Sequence, residues 1–332
     1  MGRRDGERAA AMPKRGLVLE RRSAAQRKTD RRALGSLQSL VVAPSTRGRY
    51  FQAVSRFLEF LQLHGYGYPC TFSSLDGRVC EFIEYLWHNG EPKAFASDCL
   101  SGLGHFIPAT KKHLVGGWRL HGSWSRAELP ARAIPFTPVM VYAIAQKAFE
   151  KGWEDLCLLV LLGFDRFART GELFAATKQD FVFNHSRSKV VWSLPLTKSG
   201  QRVGAQESLV VEDPWLVRAL SNYLRSLQNG DTLRQTSPGV MRSRLKQLLL
   251  ELNFSDGFQW YSLRRGGATH LFRSSNNMSQ VCMIGRWNCQ KTARIYVTDA
   301  LSQLTEISAS LATRQRWLML AKKARPNFSF DL

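Results

Sequence analysis

Acidic residues are in short supply: 26 Asp and Glu stand against 47 Lys and Arg, for a formal net charge of +21. Such a balance repels basic surfaces and draws polyanions, so nucleic acid is the favoured partner class. On charge alone, a ribosome-associated protein or a binder of anionic membrane surfaces stays open. Long apolar runs are also missing. The longest, Leu156–Phe164, is far short of the roughly 20 residues a membrane-spanning helix needs. The chain therefore reads as soluble and intracellular, with no membrane partner. Cysteines are few, at positions 70, 80, 99, 157, 282 and 289, and no two have the spacing of a zinc knuckle. Free thiols in a reducing compartment follow. No carboxylate cluster suggests a metal, and neither metal nor cofactor is expected. Apolar residues are not scarce: at 44% of the 332 residues they suffice for a core, and the length suits two domains.

Residues 1–43 hold GRRDGER, PKRG, ERR and QRKTDRR with few large apolar side chains, and read as a basic, disordered tail. Asp5, Glu7 and the lack of an apolar stretch argue against a secretory signal. The cluster Arg21–Arg32 suits a nuclear address, if the source is eukaryotic, or a DNA arm, or a solvated charge run. A helical module over 44–135 follows, with helices expected from Thr46 to His64 (Ser45 as N-cap), Leu75 to Trp87, Lys93 to Phe106, and from about Ala109 through a break at Gly116-Gly117. Pro130, Pro135 and Pro138 mark a linker. The second module, 136–332, opens with helices Val139–Lys151 and Glu154–Asp165. Strands Phe181–Phe183, Lys189–Leu194 and Ser208–Val211 come next. Helices resume at Pro214–Leu227, Gly239–Leu252, Ser262–Phe272, Ser279–Arg286 and Gln290 onward, ending in one long helix from Ala300 to Lys323 with Leu301, Leu304, Ile307 and Leu311 on one stripe. The fold class is mainly α with a small antiparallel β-sheet.

Four segments carry candidate chemistry, each weak alone. In FARTGELFAATKQDF, Arg169 follows the apolar LCLLVLLGF and must find an anion, because an unpaired buried guanidinium is costly. A structural ion pair with Glu172 or Asp180 would suffice. Lys198 stands at the tip of LPLTKSGQR between two strands, where a lysine is usually just solvated. In WYSLRRGGATHLF, Arg264 and Arg265 precede two helix-weakening glycines, which suggests close approach of a DNA backbone or tight helix packing. In IGRWNCQKTARIYVTDAL, Trp287 and Tyr296 are nine residues apart, with Lys291 and Arg294 between them.

The ordered set is stronger than its parts. R-x-x-E-L, a hairpin Lys, x-x-L-R and a Trp nine residues before a Tyr resemble the catalytic domain of the tyrosine recombinase (phage integrase) family. Asp180 falls where that family commonly has an acid, and Ala268, Thr269, His270 and Leu271 match its stretch after the second arginine. The module from Ser45 to about Arg132 resembles the core-binding domain, which clamps DNA. One position departs: Tyr261 stands where His is usual, and it cannot serve as a base near neutral pH. Trp287 stands where many members have a second His, a milder departure.

The resemblance implies metal-independent strand cleavage and religation of double-stranded DNA, in recombination or integration, with no small-molecule substrate. Tyr296 would attack the scissile phosphate, forming a 3′-phosphotyrosyl link. Arg169 and Arg264 would hold its oxygens and Lys198 would protonate the leaving 5′-oxygen. Trp287 would pack on Tyr296 and offer its N–H, and Tyr261 would add a donor. Glu172, Asp180 and His270 would orient these groups. Arg47, Arg49, Arg56, Arg265, Lys291 and Arg294 are candidate DNA contacts. A homotetramer on paired sites is implied, with the final helix docking on a neighbour or on its own domain. A type IB topoisomerase, a recombinase-like DNA binder without activity and a basic RNA-associated protein are the rival readings.

Overall fold

A computed structural model describes residues 23–129, 132–194 and 207–326. They divide into two compact units, with the boundary between 131 and 132.

The first unit begins with two helices, α1 (Ala24–Leu34) and α2 (Leu37–Leu40), inside the stretch expected to be a disordered tail. Neither buries a residue. A Ser23–Gln26 capping box starts α1, so local hydrogen bonds order a segment that composition alone marks as unstructured. Four longer helices build the core: α3 (Pro44–Leu63), α4 (Phe72–His88), α5 (Lys93–Phe106) and α6 (Val115–Ala127). Pro44, not Ser45, opens α3, its missing N–H costing nothing at the first helical position. Phe57, Phe60, Phe82, Leu86, Leu100 and Trp124 meet in the middle. Gly116-Gly117 begins α6 instead of breaking a helix. The Asp76 carboxylate accepts both glycine N–H groups, at 2.8 and 2.9 Å, and a Cβ on Gly117 would lie 2.7 Å from Leu100.

In the second unit, α7 (Pro138–Glu150) and the apolar α8 (Glu154–Asp165) are buried on most sides. Short α9 (Thr170–Ala175) leads into the antiparallel sheet β1 (Phe181–Phe183), β2 (Val190–Leu194), β3 (Glu207–Val211), with Trp192 paired to both Phe181 and Leu209. Val190, Trp192 and Leu194 alternate inward. Then come α10 (Pro214–Arg225), α11 (Pro238–Glu251), α12 (Trp260–Ser275), α13 (Met278–Gly285), α14 (Gln290–Arg294), α15 (Asp299–Ser308) and α16 (Leu311–Ala324).

The expected single terminal helix is thus two. Ser310 caps the start of α16, accepting from the Thr313 N–H, and Ala309 is extended. Leu304, Ile307 and Leu311 are largely exposed, while α16 docks on α7 through its other face, with Trp317 and Leu320 buried. Among the described residues, no helix is long and apolar enough to cross a membrane.

Candidate active site

Helix α12 is the spine of the site. Its glycines answer the choice between DNA approach and tight packing. A Cβ on Gly266 would lie 2.2 Å from the Phe136 carbonyl oxygen, and one on Gly267 would lie 2.0 Å from that of Phe164. The two glycines let α12 touch main chain on two sides, which sinks Arg264 and Arg265 into the protein at 1% and 3% exposure.

Arg264 donates to the carbonyls of Phe167 and, at 2.6 Å, Gly285. Its guanidinium carbon lies 4.5 Å from the centre of the Trp287 ring and 5.5 Å from that of Tyr296. Its Nε has no partner among the described residues. Burial, then repulsion from Arg169 and Arg286, lowers its pKa to about 10. The group remains a cation at neutral pH, short of compensating negative charge.

Tyr296 follows α14, and Thr269 fastens its main chain: the Thr269 hydroxyl donates to the Tyr296 carbonyl (3.3 Å) and accepts from the Thr298 N–H (3.2 Å). Trp287 lies against its ring, centroids 4.5 Å apart. Gly285 makes room for that indole, since a Cβ there would sit 1.9 Å from it. The Tyr296 hydroxyl is 2.7 Å from that of Tyr261, in the first turn of α12. Burial raises both phenols, but their fates diverge. Tyr261 goes up to about 12, pushed further by its hydrogen bond to Tyr296. For Tyr296 burial is outweighed by hydrogen bonds from Tyr261 and Trp287 and the charges of Arg264 and Arg169, so it sits below the ordinary tyrosine value. Tyr296 ionises first, and Tyr261 keeps a proton to donate to it.

Arg169 caps α9. Its guanidinium donates to Glu172 Oε1 and its N–H to Glu172 Oε2, both at 2.8 Å. Glu172 also receives Arg286, at 3.1 and 2.7 Å. Burial works against the Glu172 charge, but Arg286 and Arg169 prevail and hold its carboxyl below the usual range. Arg286 was not among the sequence candidates. A cavity of about 420 Å³ opens beside Tyr261, lined by Thr170, Arg242, Lys246, Gln259 and Trp260 among others.

The other candidates are dispersed. Asp180 accepts from the Thr177 N–H (2.8 Å) and hydroxyl (2.7 Å), shaping the turn into β1. His270 stacks on Phe164. Arg265, offered as a DNA contact, is buried and donates to the Thr298 hydroxyl at 3.3 Å, because α12 is enclosed on that side too. Lys291 and Arg294 are exposed on α14. In the first unit Arg47 is exposed, Arg49 pairs with Asp98, and Arg56 pairs with Glu91 over the Phe95 ring. Lys198 lies outside the described residues.

Solved structures give this arrangement a context. A lambda integrase dimer bound to a COC′ core site superposes over 80% of this chain and 74% of its own, with TM-score 0.55 and 16% identity. The Tn1549 transposon integrase in complex with transposon right end DNA matches 81% of this chain and 95% of its own, with TM-score 0.53 and 13% identity. Bound to a circular intermediate DNA, that integrase matches 79% of this chain and 99% of its own, with TM-score 0.54 and 13% identity. No family profile matches the sequence, and no curated protein matches it. The chain has the fold of the tyrosine recombinases.

Proposed function

We propose that this chain is a site-specific DNA recombinase that cuts and rejoins duplex DNA through Tyr296. The observation that carries the reading is the meeting of Tyr261 and Arg264, from α12, with Trp287 after α13 and Tyr296 after α14, with Arg169 close enough to lower the pKa of both Tyr296 and Arg264.

Tyr296, its phenol proton lost to solvent and the phenolate stabilised by Arg264 and Arg169, attacks the scissile phosphorus through Oη, and the bond to the leaving 5′-oxygen breaks as the 3′-phosphotyrosyl bond forms, which conserves its energy for religation. Arg169 and Arg264 hold the non-bridging oxygens, their fixed positive charges offsetting the negative charge that develops there. The Tyr261 hydroxyl, 2.7 Å from that of Tyr296, is a further donor beside the attacking oxygen. Lys198 protonates the 5′-oxygen. The helical first unit contributes further DNA contacts, and exposed Leu304, Ile307 and Leu311 suit a docking face in a tetramer on paired duplexes.

Nicked duplexes cut from the DNA flanking the coding region test the proposal. The wild type should leave a detergent-resistant protein–DNA adduct, and Tyr296→Phe none. Specific binding to such DNA without any adduct would replace the enzyme with the DNA-binding reading that Tyr261, in the usual His place, favours.

A further inference from the structure

Arg286 closes α13 in a left-handed conformation, φ +57°, which side chains other than glycine rarely adopt. Its N–H reaches back to the Cys282 and Met283 carbonyls, and the same reversal aims Trp287 at Tyr296. Glycine would satisfy the backbone here. The arginine side chain instead lies 9% exposed between two acids. One terminal nitrogen is 3.1 Å from Glu172 Oε1 and 3.0 Å from Glu207 Oε2, and the other is 2.7 Å from Glu172 Oε2.

Glu172 is therefore shared. Each of its oxygens receives one hydrogen bond from Arg169 and one from Arg286. Without Arg286, the buried carboxylate would lose two of its four hydrogen bonds and draw the neighbouring Arg169 guanidinium, already 2.8 Å from one of its oxygens, more tightly onto itself. That would spend the positive charge Arg169 otherwise directs at Tyr296 and at a bound phosphate. Glu207 opens β3, so the same guanidinium also joins β3 to α9 and α13.

We propose that Arg286 is a positioning residue: it takes a share of Glu172, keeps the Arg169 charge directed at the reacting phosphate, and locks the turn that carries Trp287. The inference deepens the proposed function and rests on Tyr296 being the nucleophile.

Two readouts test it separately from that reading. In single-turnover cleavage of nicked DNA, Arg286→Gln should slow adduct formation by about 10-fold or more, the usual scale for losing a residue that orients a reacting group. DNA affinity should change less than about twofold, since Arg286 is buried. In spectrophotometric titration, the Tyr296 phenol, isolated as the difference from Tyr296→Phe, should ionise at higher pH in Arg286→Gln. Arg286→Lys, with an ammonium that cannot form the fork, should show a smaller change in both readouts, and it carries the test if the glutamine variant does not fold. A variant that only melts earlier, with rate and titration unchanged, overturns the proposal. If the wild type forms no adduct, the proposed function fails, and the titration alone still decides the role of Arg286.

Discussion

Tyr261 and Tyr296 share one hydrogen bond, 2.7 Å between hydroxyl oxygens, and it acts in opposite directions on them. It raises the Tyr261 pKa and lowers that of Tyr296. Removing the Tyr261 hydroxyl takes away a stabiliser of the Tyr296 phenolate. In Tyr261→Phe the Tyr296 titration should move to higher pH, and the rising limb of the cleavage rate should move with it. An unchanged profile would exclude Tyr261 from this role.

Glu172 predicts an acid limb in stability. Its folded pKa lies below the ordinary value of 4.5, so its contribution is complete above that pH and is lost as pH falls through the lower folded value. Glu172→Gln removes the buried carboxylate that Arg169 and Arg286 share, and at neutral pH should cost about 3–5 kcal/mol, the range for breaking a buried pair from one side. Melts from pH 7 down to the acid range should show wild type and variant converging below pH 4.5. A constant gap across that range would show that Glu172 contributes through shape alone.

The glycines separate packing from site geometry. At Gly266 and Gly267 the obstacles are carbonyl oxygens at 2.2 and 2.0 Å, which cannot swing aside, so alanine at either should cost more than about 3 kcal/mol. At Gly285 the obstacle is the Trp287 ring, which can move. Gly285→Ala should cost about 1–3 kcal/mol and displace the indole from Tyr296, slowing adduct formation and shifting tryptophan emission. Melting curves and emission spectra check both, and unshifted emission in Gly285→Ala would contradict the second.

Exposed and buried cations should behave differently towards DNA. Lys291→Ala and Arg294→Ala should each flatten the dependence of log affinity on log salt by about 0.9 for every phosphate no longer neutralised, with little effect on melting. Arg265→Ala should lower the melting temperature and leave the salt slope unchanged. A slope that responds to Arg265 instead would mean that α12 opens on DNA.

The site was legible in the sequence where its chemistry is local. Arg169 with Glu172 three residues on, Arg264 in the Y-S-L-R step, and Trp287 nine before Tyr296 are spacings readable along the chain. Arg286 was not readable, because its partners are 114 and 79 residues away and the residue itself is not of a type that favours a left-handed backbone. The neighbouring Gly285 was the available hint. The break between α15 and α16 was hidden because Leu311 continues the apolar stripe in phase, while the Ser310 cap that creates it is one hydroxyl. Gly266-Gly267 admitted two explanations until their neighbours, Phe136 and Phe164, were placed by the fold.

The most direct measurement is to digest the trapped protein–DNA adduct and identify the nucleotide-bearing residue by mass spectrometry. The account predicts the phosphate on Tyr296. Attachment to Tyr261, whose hydroxyl is 2.7 Å away, or to any other residue, would contradict it.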